Sequence, residues 1–294
     1  MIITTLAVTM IAVLVGAAAL IHQRSSTQAT SPPADVPAFP SASSLRPIPT
    51  STTQRGPQQV AALGDHPLST DRNTGLYDIA CTYAPWASEA DQARRFYESA
   101  LACMNKAWRT VTSDKILPFS EPNLEVPTRA ALASSPCTRS STNSFAAFYC
   151  PTNHTIYMPM DTIGIDQYGD DSVIYLGTLA HEYGHHVQSI SGITSEANMK
   201  RWIFGDGTPD ELDMSRRLEL QAQCFAGMFF VAAYSSLSPA QYTRVISDRS
   251  QRGDYHGDSP DHGSPQNNGA WVKRGTENSL AECNTWSAPA SSVS

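Results

Sequence analysis

Hydrophobic and polar positions divide the chain into three stretches of different character. The first, residues 1–21, is uncharged and mostly apolar throughout. As a helix it is long enough to cross a bilayer, which predicts a membrane anchor or a signal peptide cleaved near Ala17-Ala18-Ala19. From 22 to 74 the apolar periodicity disappears, and Ser, Thr, Pro, Ala and Gln dominate. Such a segment buries too little surface to offset the entropy of ordering, and it predicts a disordered linker. Patterning returns at Gly75, so residues 75–294 are expected to form one folded domain.

Within that domain helical periods outnumber alternating ones. Phe96, Leu101, Met104 and Trp108 recur at helical spacing after a start signal at Ser88–Asp91. Phe145–Cys150 and Thr155–Met158, separated by Pro151–His154, predict two strands joined by a tight turn. Asp170 and Asp171 are placed to cap a helix that runs to Ser191, with Gly192 as its stop. Thr208-Pro209-Asp210-Glu211 carries the capping pattern of a further helix, which is expected to run, with or without a break, towards Tyr234. A shorter helix over 238–248, a glycine-rich loop over 253–263 and a helix over 265–274 complete the reading. The stretch between Gly192 and Gly207 reads as a loop. The expected class is α+β, mainly helical.

Composition narrows the range of functions. The chain has 20 Lys+Arg against 27 Asp+Glu, a net charge of −7. This acidic balance argues against a nucleic-acid partner. Six cysteines, none in a Cys-x-x-Cys pair, fit disulfides in an oxidising, extracytoplasmic compartment better than a zinc ribbon. Sequence proximity favours Cys81–Cys103 and Cys137–Cys150, which leaves Cys224–Cys283.

Chemistry is concentrated in His181-Glu182-Tyr183-Gly184-His185, inside the helix that ends at Gly192. Residues four apart sit about 40° apart around a helix axis and ~6 Å apart along it. Two imidazoles at that spacing can address one ion while Glu182 lies beside it as a general base, the pattern of zinc peptidases. A catalytic zinc needs a third protein ligand and an open position for water. Gln188 and Ser191 stand where a metzincin would have Gly and His, so that class is excluded. The third ligand must come from elsewhere: Glu196, Asp206, Asp210, Glu211, Asp213 and Glu219 all compete. Glu219 alone lies inside a predicted helix beside apolar positions, whereas Asp210 and Glu211 suit helix-start electrostatics. Tyr183, His186 and His154 read as packing or structural residues.

Taken together, His181–Gln188, Glu219–Gly227, His262-Gly263-Ser264 and the Phe148–Pro151 turn resemble the family of "putative neutral zinc metallopeptidases" over roughly residues 75–286. The resemblance implies a gluzincin-like, zincin-type domain with one Zn²⁺ on His181, His185 and Glu219. Glu182 would act as base on a zinc-activated water, and a peptide or protein would be the substrate. His262 matches the family's His-Gly-Ser/Thr motif and becomes the candidate oxyanion donor. The family usually carries Asp where this chain has Gln223, which can accept a hydrogen bond but brings no charge. A zinc-binding surface module with impaired catalysis is the alternative reading. The expected location is extracytoplasmic, either tethered through residues 1–21 or secreted after their removal.

Overall fold

A computed structural model of the chain describes residues 63–138, 146–255 and 259–294. The expected anchor or signal segment and residues 22–62 of the expected linker lie outside the described residues. No helix among the described residues is long and apolar enough to cross a membrane.

The described chain opens with a single turn at Leu63–Asp65 and the short helix α1 (Pro67–Thr70). Leu63 and Leu68 are buried in the core, so packed structure begins ahead of Gly75. Thr74 and Asp71 accept backbone hydrogen bonds from Leu280 and Ala281, which seats this segment on the C-terminal part of the chain. His66 caps α1. Its Nδ1 accepts from the Leu68 N–H at 3.0 Å, and its Nε2–H donates to the Ser191 carbonyl at 3.2 Å. Accepting at Nδ1 requires the neutral ring. Burial lowers the His66 pKa below its usual value, against a smaller opposing effect of the Ser191 bond. The unfolded chain therefore takes up a proton near pH 6.5 that the folded state resists, and stability is lost as pH falls below that value. Urea midpoints at pH 7 and pH 5 should fall further for the wild type than for His66→Asn, whose Oδ1 can still cap α1 but does not titrate.

Helix α2 (Ala90–Asp114) buries Phe96, Tyr97, Ala100, Met104, Ala107, Trp108 and Val111, the stripe that a period of 3.6 residues requires. A three-stranded sheet follows: β1 (Asn123–Glu125), β2 (Phe148–Cys150) and β3 (Thr155–Tyr157), in the order β1-β3-β2. The expected hairpin is β2–β3, antiparallel with Tyr149 opposite Ile156. His154 turns it in the left-handed region, at φ 53°. Strand β1 is parallel to β3 and carries no alternation long enough to be read from three residues.

After α3 (Ile165–Tyr168) come α4 (Ser172–Ile190), α5 (Ile193–Phe204), α6 (Pro209–Ala232), α7 (Pro239–Arg249) and α8 (Pro265–Gly275). Three of them begin on Ser/Thr-Pro: Thr208, Ser238 and Ser264 each accept an N–H from the first turn, and each is followed by Pro at the first helical position. At the start of α4, Asp171 gives its carboxylate to Arg244 (2.8 Å) instead of capping the helix. The stretch read as a loop after Gly192 is helix α5. Gly192, at φ 91°, both ends α4 and supplies the N-cap of α5, so a stop signal doubles as a start. Only Ile193 and Ala197 of α5 are buried, while Trp202 and Ile203 are exposed; an apolar face that points outward hides the period.

Helix α6 is unbroken. It packs against α4, α5 and α8, and α7 lies across α4. The class is α+β, mainly helical, as expected. All three disulfides form the pairs that proximity favours: Cys81–Cys103, Cys137–Cys150 and Cys224–Cys283.

Candidate metal centre

Helix α4 is apolar nearly all round: Val173, Ile174, Leu176, Leu179, Ala180, Tyr183 and Val187 are buried on different faces. Its polar residues are therefore carried into the interior, where each needs a partner. His181 and His185, one turn apart, converge on a single atom of α6. Their Nε2 atoms lie 3.2 and 3.1 Å from Oε2 of Glu219. The ring centroids are 4.7 Å apart at 80°, and one ligand-type atom from each residue falls within 4.8 Å of the others.

Three of the rival carboxylates are engaged elsewhere: Glu196 with Lys200 at 3.4 Å, Glu211 with Arg201 at 2.6 Å and Asp213 with Arg217 at 2.6 Å. Two imidazole nitrogens and one carboxylate oxygen, converging from two rigid helices, are a donor set suited to zinc. A second feature fits the same use. The Nδ1–H of His185 donates to Oε1 of Gln188 at 2.9 Å, which commits Nδ1 and leaves Nε2, the atom that meets Glu219, as the nitrogen available to a metal. Gln188 is itself held, its Nε2 donating to the Leu218 carbonyl (2.8 Å) and to Gln221 Oε1 (3.1 Å). Neither glutamine stands out in the sequence. Gln188 could have been found as the residue three after His185, on the same helix face.

The spacing between the two helices is set by Gly184. A Cβ there would come within 2.8 Å of the Ala222 carbonyl oxygen and 2.9 Å of its Cα. Gly184→Ala should force α4 and α6 apart between the two histidines, at a cost of about 1–3 kcal/mol. Zinc affinity should fall roughly ten-fold although no liganding group changes. Thermal unfolding and chelator competition measure the two effects.

Glu182 is 6% exposed. Burial raises its pKa to about 7, against the opposing charges of His185 and Arg249. It lines two adjoining cavities, of about 480 Å³ and 270 Å³, that share His181, Glu182, Glu219 and His262 in their walls. The Gly-flanked loop does bring His262 to this cleft, with Nε2 3.8 Å from Glu219 Oε2. Asp254 accepts the His262 backbone N–H at 3.0 Å, and Asp261 accepts its Nδ1–H at 2.6 Å. The Asp261 bond pushes the His262 pKa up to about 9, so the ring is charged at neutral pH.

In the lining of the larger cavity, Oε1 of Gln223 accepts the Nε–H of Arg249 at 3.2 Å. Burial lowers the Arg249 pKa to about 10, still leaving it charged near neutrality. Sequence reading does not single out Arg249, because its approach to α4 and α6 depends on where α7 packs. Tyr183 is structural, donating its hydroxyl to Asn105 at 2.7 Å. His186 is held between the Ser120 carbonyl (2.8 Å) and the Tyr149 hydroxyl (3.2 Å), and His154 meets the same hydroxyl at 3.1 Å.

Comparison with known proteins agrees with this arrangement at the level of family. The chain is 34% identical over 162 residues to the uncharacterized protein YpfJ of Escherichia coli strain K12, covering 47% of this chain and 53% of that protein. It is 33% identical over 102 residues to the uncharacterized protein Rv2575 of Mycobacterium tuberculosis strain H37Rv, covering 33% of this chain and 32% of that one. The chain thus spans about half the length of the first of these relatives and a third of the second. No solved structure matches it. A family profile described as "Putative neutral zinc metallopeptidase" matches residues 78–286. With that match covering most of the chain and every residue of the cleft, the protein belongs to this zinc metallopeptidase family.

Proposed function

We propose that the protein is an extracytoplasmic, zinc-dependent peptidase in which His181, His185 and Glu219 hold one Zn²⁺ and Glu182 is the general base. The observation that carries this reading is the meeting of both Nε2 atoms on Glu219 Oε2, with buried Glu182 in the wall of the same cleft. A zinc ion held there supplies a Lewis acid for the scissile carbonyl and lowers the pKa of the attacking water towards ~7.

The chain's own groups do the rest. Glu182, buried in the cleft wall beside the two histidines, is placed to take a proton from the water and return it to the leaving amine. Gln188 fixes the ring orientation of His185. His262, charged and steadied by Asp261, presents its imidazolium at the cleft as a donor to the developing oxyanion. The three disulfides support an oxidising compartment, and residues 1–21 would serve as the tether or export signal.

The test is zinc stoichiometry by mass spectrometry together with cleavage of a peptide library. One zinc per chain is expected, with cleavage lost on chelation and restored by stoichiometric zinc. Zinc without cleavage would instead favour a zinc-binding module, and absence of zinc binding would overturn both.

A further inference from the structure

Arg249, the last residue of α7, sends its side chain inward over α4. It crosses at Gly177, where a Cβ would lie 2.9 Å from Arg249 Cδ, so the aliphatic stem rests on bare helix backbone. The residue is 6% exposed, and its guanidinium helps to line the larger cavity with His181, Glu182 and Gln223. Its hydrogen-bond acceptor there, Gln223, is neutral. The adjacent acid, Asp248, is occupied by Arg252, whose Nη2 lies 2.8 Å from Oδ1. Arg252 lines the same cavity, and Arg249 forms no ion pair among the described residues. Asp254 and Asp261, which also line the cavity, are committed to His262. Glu182 in the same cavity feels the Arg249 charge but forms no ion pair with it. A buried guanidinium without a directly paired carboxylate is costly, and arginine does not shed its proton to avoid that cost.

A second group in the lining of the same cavity is also unfinished. Asn268 is 1% exposed and lines the cavity, and its Oδ1 has no hydrogen-bond partner. One site therefore offers a fixed positive charge and a free amide oxygen, which suit a carboxylate and a peptide N–H.

We infer that Arg249 and Asn268 form a substrate subsite that receives a carboxylate-bearing part of the peptide, with Arg249 taking the carboxylate. This rests on the peptidase reading above and adds a specificity to it. Gln223 follows Glu219 by four residues, about 6 Å along α6. An extended peptide advances about 3.3 Å per residue. The carboxylate thus belongs one or two residues from the scissile bond, on an acidic side chain or as the free C-terminus.

The experiment compares matched peptides on the zinc-loaded protein. One set exchanges Glu for Gln and Asp for Asn at the two positions on each side of the cut, and a second exchanges a free C-terminal carboxylate for its amide. One acid form should exceed its amide at least ten-fold in kcat/KM, and the set in which it does so identifies the source of the carboxylate. That ratio should fall towards one in Arg249→Gln and be partly kept in Arg249→Lys. It should also fall in Gln223→Glu, which supplies the missing counter-charge from within. Equal cleavage of all pairs by the wild type, or an unchanged ratio in Arg249→Gln, overturns the inference. If the protein cleaves no peptide, the peptidase reading fails by itself. The same pairs are then measured by calorimetric binding: a ten-fold preference for the acid form that Arg249→Gln removes upholds the subsite, and equal affinities overturn it.

Discussion

Glu182→Gln should lower kcat/KM for peptide cleavage by about 10²–10⁴, the usual contribution of a positioned general base, while zinc stays bound at wild-type stoichiometry. The substitution keeps the shape of a 6% exposed side chain and removes only its capacity to take up a proton. A second signature separates this loss from misfolding. Burial raises the Glu182 pKa from 4.5 to about 7 in the metal-free protein. The unfolded chain releases this proton near pH 4.5 and the folded state only near 7, so stability is lost as pH rises through that window. The glutamine variant escapes this loss. Metal-free Glu182→Gln should therefore be more stable than metal-free wild type above pH 7, by about 3 kcal/mol. Parallel assays of cleavage, bound zinc and urea unfolding check all three points. An inactive variant that had also lost zinc would assign Glu182 a role in the metal site instead.

Glu219→Ala should cost more zinc affinity than the roughly 100-fold that follows loss of a group which merely orients a ligand. It removes the carboxylate oxygen on which both imidazoles converge. The proton balance of binding should change with it. Burial alone would lower the pKa of His185, but the charge and hydrogen bond of Glu219 outweigh burial and push it up to about 9. At pH 7 the metal-free wild type therefore carries a proton on His185 that zinc must displace, and its affinity should rise with pH until about pH 9. Without Glu219 that proton is no longer held. Calorimetry in buffers of different ionisation enthalpy should detect about one proton released per zinc from His185 in the wild type, and fewer in Glu219→Ala.

The parts of this molecule that sequence reading reaches are those whose physics is local. The Thr208-Pro209, Ser238-Pro239 and Ser264-Pro265 steps each declare a helix start, because the cap and its partner lie within one turn. His181, Glu182 and His185 are legible for the same reason. Glu219 is separated from its rivals by apolar neighbours that imply burial, and in the structure three of those rivals, Glu196, Glu211 and Asp213, pair with Lys200, Arg201 and Arg217. What escapes is set by distant packing. Helix α5 is missed because Gly192 terminates one helix and caps the next. The seating of residues 63–74 depends on partners some two hundred positions later, near Leu280 and Ala281. The Gln188–Gln221 contact and the Gln223–Arg249 contact each join different helices. No local period encodes those pairings.

The Cys224–Cys283 bond has a topological consequence. It closes a covalent ring over 224–283 that contains α7, the His262 loop and α8, and the ring is anchored on the helix that carries Glu219. A backbone nick within the exposed part of the 253–263 loop would open the ring without releasing either piece. The nicked chain would migrate as one species until reduced and as two afterwards, with the liganding residues still on a single folded body. Under the extracytoplasmic role proposed above, the bond would keep the cleft loop tethered to the helix of Glu219 after such a cut.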